Sequence, residues 1–296
     1  MAAHRECRDG IGFDRCAQPG HPSMSGVRGL PVVKEGELSL KYQPKMDLDT
    51  GRVFGVEALA RWRHPMRGLL GPDAFIPQAE RTGTIDQIDT WAIHEACRQV
   101  RLWRQRREFS GSVAVNVSAL ELSQPHFADV VCSALERHDV DPGSLVLEIT
   151  ESHAIDHLEL VLKNLNHLSG LGVRVSLDDF GTGNSNLTSL KYLPVSEVKV
   201  DRCFIQEIAH SALDAAIVAA IIAVAKAKGA RVIAEGVETA RQLEVLANMG
   251  CRAVQGYLIG PPMEPDDLVR AVRELEKVIA PYDACVAQGG ASLWWR

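Results

Sequence analysis

The amino-acid sequence predicts an α/β protein folded as a (β/α)8 barrel, and three observations lead to this prediction. Short β-rich runs alternate with helix-like segments, which indicates a mainly parallel sheet. The chain contains eight such runs, the strand number of this barrel, within the roughly 250 residues that the fold needs. Polar residues end or follow nearly every run, at the positions where barrel enzymes place their sites.

The predicted strands are short runs enriched in Val, Ile and other apolar residues, a composition that favours strands buried on both faces. Turn residues or helix-like sequence separate one run from the next. No sequence repeat at a fixed period is visible, so the alternation is one of structure rather than of sequence. In chain order the predicted strands are residues 38–43, 53–59, 113–117, 145–149, 173–177, 197–200, 231–234 and 253–257.

The predicted helices lie between most of these strands. In the first of them, Ile88, Trp91, Ala92 and Val100 recur at helical spacing. Glycines are expected where helices end, because glycine readily adopts the left-handed conformation found there. These glycines are Gly170, Gly172, Gly229 and Gly250. The predicted helices are residues 85–106, 120–137, 155–168, 212–228, 240–249 and 265–278.

The chain divides into three predicted parts. Residues 1–33 are rich in Gly, Arg, Pro and Ser and lack periodicity, which predicts a flexible N-terminal segment. The barrel is predicted to cover residues 34–280. Residues 281–296 resemble the first segment in composition and are predicted to form a C-terminal tail.

Composition and charge narrow the class of protein. The chain is 46% hydrophobic and 24% charged, which excludes a disordered chain and a disulfide-dense miniprotein. Its net charge of −6 argues against a protein that coats polymeric nucleic acid. The longest apolar run, residues 215–225, is too short to span a bilayer core of ~30 Å.

Two further features indicate the compartment. Residues 1–20 lack the apolar segment of a signal peptide. The seven cysteines are scattered and include no Cys-x-x-Cys pair, which is typical of free thiols in a reducing compartment. We therefore expect a cytoplasmic protein without a membrane span.

Polar side chains mark the ends of the predicted strands. Taken singly, each has an ordinary explanation as a helix cap, a turn residue or a surface ion-pair partner. In a barrel, however, the carboxyl ends of the strands form one ring, so residues that share this position meet at one mouth. The residues are Gln43, Glu57, Asn116, Glu148, Asp178, Asp179, Lys199, Glu235 and Gln255.

Five of these residues are carboxylates, and their number predicts bound cations. Carboxylates a few ångströms apart repel one another unless positive charge balances them. The available ligands are all oxygens, which favours Mg²⁺ or Mn²⁺ over zinc or copper. The adjacent pair Asp178 and Asp179 allows one carboxylate to bridge two ions, an arrangement typical of phosphodiester hydrolysis.

The motifs around these residues form an ordered set. The most distinctive run is Glu57-Ala58-Leu59, which continues as Ala60-Arg61-Trp62-Arg63-His64-Pro65. The other motifs are Tyr42-Gln43-Pro44, Phe75-Ile76-Pro77, Asn116-Val117-Ser118, Glu148-Ile149-Thr150-Glu151, Asp178-Asp179-Phe180-Gly181-Thr182-Gly183, Lys199-Val200-Asp201, Glu235-Gly236-Val237-Glu238 and Gln255-Gly256-Tyr257. Over residues 34–278, this set resembles the EAL-domain cyclic di-GMP phosphodiesterase family.

The resemblance implies a modified TIM-like barrel in which the first strand runs antiparallel to the others. It implies hydrolysis of one phosphodiester bond of cyclic di-GMP to the linear dinucleotide pGpG, which lowers this bacterial second messenger. It also implies a homodimer. Two Mg²⁺ or Mn²⁺ ions are the implied cofactors, one bound by Glu57, Asn116, Glu148 and Asp178, the other by Asp178 and Asp179.

The resemblance further implies roles around the reacting water and the substrate. Lys199 would orient and help to activate the attacking water, and Glu235 would be the general base or a ligand through water. The implied substrate-binding residues are Gln43, Leu59, Arg61 and Gln255. The implied loop-stabilising residues are Glu151 and Glu238.

Two other functions stay open at this point. A catalytically weak or inactive EAL-type receptor would bind cyclic di-GMP without hydrolysing it, although here every metal-ligand position matches the family. A barrel hydrolase or lyase with another substrate would bind metal without selectivity for cyclic di-GMP. The loop sequence Asn184-Ser185-Asn186-Leu187 departs from the family pattern and leaves the mobility of the loop and the catalytic rate open.

Overall fold

The computed structural model of the protein describes residues 36–150, 158–182 and 187–278. Its strands form one sheet, in which β1 also pairs with β2 and so closes a barrel. The strands are β1 (Leu38–Asp47), β2 (Arg52–His64), β3 (Gly68–Leu70), β4 (Ser112–Asn116), β5 (Leu145–Thr150), β6 (Arg174–Phe180), β7 (Glu197–Val200), β8 (Arg231–Ala234) and β9 (Ala253–Gln255).

The barrel confirms the predicted modified topology. Strand β1 pairs antiparallel with β2 on one side and with β9 on the other. From β2 through β4 to β9, the neighbouring barrel strands are parallel. The short strand β3 was not predicted; it forms a hairpin with the end of β2 and stands outside the barrel wall.

Helices follow most of the parallel strands, as the alternation predicted. The helices are α1 (Ile76–Thr82), α2 (Ile85–Arg106), α3 (Ala119–Leu122), α4 (Phe127–His138), α5 (Leu158–Leu171), α6 (Leu187–Tyr192), α7 (Arg202–Gln206), α8 (Ala212–Lys228), α9 (Ala240–Asn248) and α10 (Pro265–Val278). The single helix predicted over 120–137 is wrong. It is divided into α3 and α4 beside Pro125, which lacks the N–H that a continuous helix requires.

The hydrophobic core lies between the barrel wall and the helices. Side chains alternate along a strand, so Val56 and Ala58 face the helices while Glu57 between them faces the barrel interior. The same alternation places Leu147 in the core beside Glu148. Apolar packing outside the wall therefore leaves the interior mouth free to carry charged residues.

The structure bears on the predictions about membrane spans and cysteines but not on those about the two ends of the chain. No helix in the described residues is long and apolar enough to cross a membrane. The cysteines within the described ranges, Cys97, Cys132, Cys203 and Cys251, are free thiols. The predicted N-terminal segment 1–33 and the predicted tail 281–296 lie outside the described residues.

Gly256, directly after β9, allows two backbone segments to come close. A Cβ atom at Gly256 would lie 2.2 Å from the Val237 carbonyl oxygen and 2.3 Å from the Val237 nitrogen. The Val237 N–H donates to the Gln255 carbonyl at 3.1 Å, and the Leu258 N–H donates to the Val237 carbonyl at 3.0 Å. A glycine is therefore required where the end of β9 meets the loop after β8.

We expect Gly256→Ala to lower the free energy of unfolding by about 1–3 kcal/mol, because the added methyl group overlaps the backbone. Gly170→Ala is the matched control, since a Cβ at Gly170 in α5 meets no atom within 4 Å. The control should be stabilised slightly, by up to about 1 kcal/mol, through its higher helix propensity. Urea unfolding measures both changes, and equal stabilities of the two variants would contradict this account of Gly256.

Candidate active site

Carboxylates from several strands converge at the carboxyl-terminal mouth of the barrel. Glu57 on β2, Glu148 on β5 and Asp178 on β6 each place a carboxylate oxygen within 4.8 Å of the other two. Asp178 also belongs to a second group of the same size, with Asp179 and Glu235. The two groups share one residue, as expected for neighbouring cation sites bridged by a carboxylate.

Asp178 and Asp179 reach the same mouth although they are adjacent on one strand. Successive side chains of a regular strand point to opposite faces. Here the register between β6 and β7 shifts between Leu177 and Phe180, and Asp179 has a φ of 54° in the left-handed region. The Asp179 N–H donates to Asp178 Oδ1 at 2.9 Å. This irregularity brings both carboxylates into one group, and such backbone strain is common at functional sites.

Lys199 on β7 lies buried among four of the carboxylates. Its Nζ atom is 2.7 Å from Glu235 Oε1 and 3.0 Å from Asp178 Oδ2. It is also 3.2 Å from Glu148 Oε2 and 3.4 Å from Glu57 Oε2. At these distances the charge of Lys199 affects the protonation of all four carboxylates.

Polar amides fix the orientation of Glu57. Asn116, at the end of β4, donates from Nδ2 to Glu57 Oε1 at 2.9 Å. Gln255 on β9 donates from Nε2 to Glu57 Oε2 at 2.6 Å and to Gln43 Oε1 at 3.0 Å. Gln43 on β1 in turn donates to the Gly260 carbonyl at 3.0 Å. The site residues predicted on β1, β4 and β9 therefore all meet Glu57 directly or through one neighbour.

The buried lysines and burial itself act in opposite directions on these carboxylates. For Glu57, burial favours the neutral form, but Lys199 and Lys45 outweigh it and lower its pKa to about 2. For Glu148, burial together with the charge of Glu57 raises the pKa to about 7. The lysines thus keep one carboxylate ionised while its neighbour titrates near neutrality.

Asp179, Glu235 and Lys199 show the same competition between burial and nearby charges. Burial and the charge of Asp178 raise the pKa of Asp179 to about 6. Burial also raises the pKa of Glu235 well above its ordinary value, although Lys199 opposes it. Burial would lower the pKa of Lys199, but the surrounding carboxylates, Asp178 first, raise it well above its ordinary value. The excess of acidic groups makes this mouth a site for positive charge.

Two buried charged residues near the site, Lys45 and Asp89, were not predicted from the sequence. Lys45 on β1 forms an ion pair with Glu148 and is 1% exposed. Asp89 on α2 accepts the Ser118 N–H at 2.9 Å, two residues beyond Asn116, and burial raises its pKa to about 7. A charged residue within a predicted strand would have signalled Lys45, but the first strand was predicted to end at residue 43.

A cavity of about 360 Å³ opens beside the carboxylates. Leu59 lines it together with apolar residues of α1 and α2, such as Ile76 and Ile88, and Glu57 and Asp178 are also among its lining residues. Arg61, two residues further along β2, is half-buried, and its Nη1 donates to the Ala60 carbonyl at 2.9 Å. Of these two residues of β2, Leu59 borders the cavity.

The two predicted loop-stabilising residues have different outcomes. Glu151 lies outside the described residues, as do Asn184 and Asn186. Glu238 is exposed in the loop after β8, where its backbone N–H donates to Gln242 Oε1 at 2.9 Å. Its loop-stabilising role stays a prediction.

The fold and the acidic mouth define an α/β barrel of the TIM type with its site at the carboxyl ends of the strands. The EAL domain family matches residues 29–262 of the chain. Because the match covers more than half of the chain, this protein belongs to the EAL domain family.

Similar proteins agree with this family. The chain is 48% identical over 241 residues to MucR of Pseudomonas aeruginosa, named a bifunctional diguanylate cyclase/cyclic di-GMP phosphodiesterase, covering 81% of this chain and 35% of the relative. It is 44% identical over 232 residues to the cyclic di-GMP phosphodiesterase NbdA of the same organism, covering 78% and 30%. The chain thus spans about a third of the length of these relatives.

A solved structure resembles most of this chain. The PaMucR phosphodiesterase in its c-di-GMP complex matches with a TM-score of 0.74 and 48% sequence identity, covering 78% of this chain and 94% of that chain. The similarity supports the closed barrel topology described above.

Proposed function

We propose that this protein hydrolyses cyclic di-GMP to the linear dinucleotide pGpG in a metal-dependent reaction and so lowers this bacterial second messenger. The observation that carries the proposal is the pair of carboxylate groups that share Asp178 at the mouth of the barrel. Relatives named cyclic di-GMP phosphodiesterases support the substrate.

The donor atoms fit two hard divalent cations. Glu57, Glu148 and Asp178 offer carboxylate oxygens to one ion. Asn116 adds a side-chain amide, which donates a hydrogen bond to Glu57. Asp178 and Asp179 offer oxygens to the other, with Glu235 in the same group. No His or Cys stands among them, and an all-oxygen set suits Mg²⁺ or Mn²⁺.

A bound pair of such ions would make water more acidic and stabilise negative charge on the phosphoryl oxygens. In the hydrolysis, the oxygen of water forms a bond to phosphorus and the bond from phosphorus to a ribose 3′-oxygen breaks. Glu235 takes the proton of the attacking water, and the released 3′-oxygen takes up a proton. Lys199, 2.7 Å from Glu235, orients the groups around this water.

The cavity provides a place for the rest of the substrate. Its apolar lining residues, which include Leu59, suit a flat nucleobase, and the carboxylates Glu57 and Asp178 also line it. Gln43 and Gln255 lie beside Glu57 and contribute polar groups near the scissile bond. Arg61, on the strand that carries Glu57, is proposed to contact a substrate phosphate.

Two properties predicted from the sequence also remain proposals. A homodimer follows from the family resemblance, and light scattering of the purified chain would measure it. A cytoplasmic location fits the free thiols of the described cysteines.

Glu57→Ala should weaken the binding of Mg²⁺ or Mn²⁺ and lower kcat/KM for cyclic di-GMP. The loss should exceed the ~10–100-fold typical of residues that only support a ligand, because Glu57 is a proposed ligand itself. Glu136→Ala, at an exposed site on α4, is the control and should retain full activity. Strong activity in a folded Glu57→Ala protein would refute the metal assignment.

Glu235→Gln should separate hydrolysis from binding. It preserves the shape of the side chain but removes the proposed base, so kcat should fall by ~10²–10⁴-fold while the Kd for cyclic di-GMP changes little. Rapid-quench turnover and equilibrium binding measure the two effects on the same preparation. If the variant lost binding but retained kcat at saturation, Glu235 would be a binding residue instead.

A further inference from the structure

A second buried lysine lies beneath the carboxylates. Lys45 extends from β1 into the barrel, where its Nζ atom bonds to Glu148 Oε1. Both residues are almost completely inaccessible, with exposures of 1% for Lys45 and 0% for Glu148. Strand β1 is separated from β5 by β2 and β4 in the barrel wall, so this lysine reaches across the interior.

The two lysines hold opposite oxygens of one carboxylate. Lys45 bonds to Glu148 Oε1, and Lys199 donates to Glu148 Oε2 at 3.2 Å. Lys199 also meets three other carboxylates, whereas Glu148 is the single salt-bridge partner of Lys45 within 4.0 Å in the described part of the chain. Lys45 is therefore dedicated to one proposed metal ligand.

Stability alone is a poor explanation for this pair. Burying two charges costs several kcal/mol each, and the attraction between them often fails to repay that cost. An apolar side chain of similar length would fill the same space. Lys45 instead fixes the orientation of the Glu148 carboxylate, because a charge-assisted hydrogen bond to one oxygen sets the plane of the group.

We propose that Lys45 is a positioning residue that orients Glu148 for cation binding. By holding Oε1 it directs Oε2 towards Lys199, which also contacts Glu57 and Asp178, the other carboxylates of the group. Groups that hydrogen-bond to metal ligands commonly set metal affinity in this way. The inference rests on the proposed function only in requiring a divalent cation at this group.

The test is calorimetric titration of Mn²⁺ into the full chain, with no substrate present. Lys45→Met removes the charge and the hydrogen bond but retains a similar volume, and should weaken Mn²⁺ binding by ~10–100-fold. Lys41→Met is the matched control on the same strand. Lys41 pairs with Glu264 at 3.6 Å, outside the site, so its removal should leave Mn²⁺ affinity unchanged.

A second readout separates positioning from a merely structural role. If Lys45 acts through Glu148, high Mn²⁺ concentration should restore much of the cyclic di-GMP turnover lost in Lys45→Met. Unchanged Mn²⁺ affinity in the folded variant would overturn the proposal. Tighter binding would overturn it as well, because the positive charge would then oppose the cation rather than orient its ligand.

A background without the Glu148 charge covers the case in which Lys45→Met fails to fold. Glu148→Gln and the double variant Lys45→Met/Glu148→Gln should bind Mn²⁺ equally, since Lys45 acts through that carboxylate. A further tenfold loss in the double variant would overturn the proposal. A wild-type chain that binds no Mn²⁺ would refute the proposed function itself, and the role of Lys45 with it.

Discussion

The carboxylates at the mouth of the barrel can lie close together because Lys199 forms ion pairs with four of them. One ammonium group lies between 2.7 and 3.4 Å from carboxylates that come from β2, β5 and β6 and from the loop after β8. Without positive charge at this position, these buried carboxylates would repel one another and take up protons. Five acidic side chains outnumber the two lysines, and this excess favours the binding of further cations.

The backbone supports this concentration of charge in two unusual ways. The irregularity at Asp178 and Asp179 directs adjacent side chains of one strand to the same mouth. Strand β1 runs antiparallel to its neighbours β2 and β9, and it adds Gln43 and Lys45 to the polar residues inside the barrel. Apolar neighbours such as Val56 and Leu147 pack outside the wall, and this packing holds the charged interior in place.

The sequence predicted the barrel and the ring of polar strand ends because both follow from patterns local to each strand. The family resemblance supplied the antiparallel first strand. Other features depend on tertiary structure. Lys45 lies beyond the predicted end of β1. Asp89 lies in an ordinary helical pattern, and its role becomes visible only through the hydrogen bond that it accepts from the Ser118 N–H in the folded chain. Pro125 indicates the break between α3 and α4, but the apolar periodicity on both sides of it favoured one continuous helix.

The most direct test of the account is incubation of the full chain with cyclic di-GMP and Mg²⁺, with and without a chelator, followed by chromatography of the products. We expect pGpG as the product when Mg²⁺ is present and unchanged cyclic di-GMP when the chelator removes it. Cyclic di-GMP recovered intact in the presence of Mg²⁺, or pGpG formed equally with the chelator, would contradict the central claim.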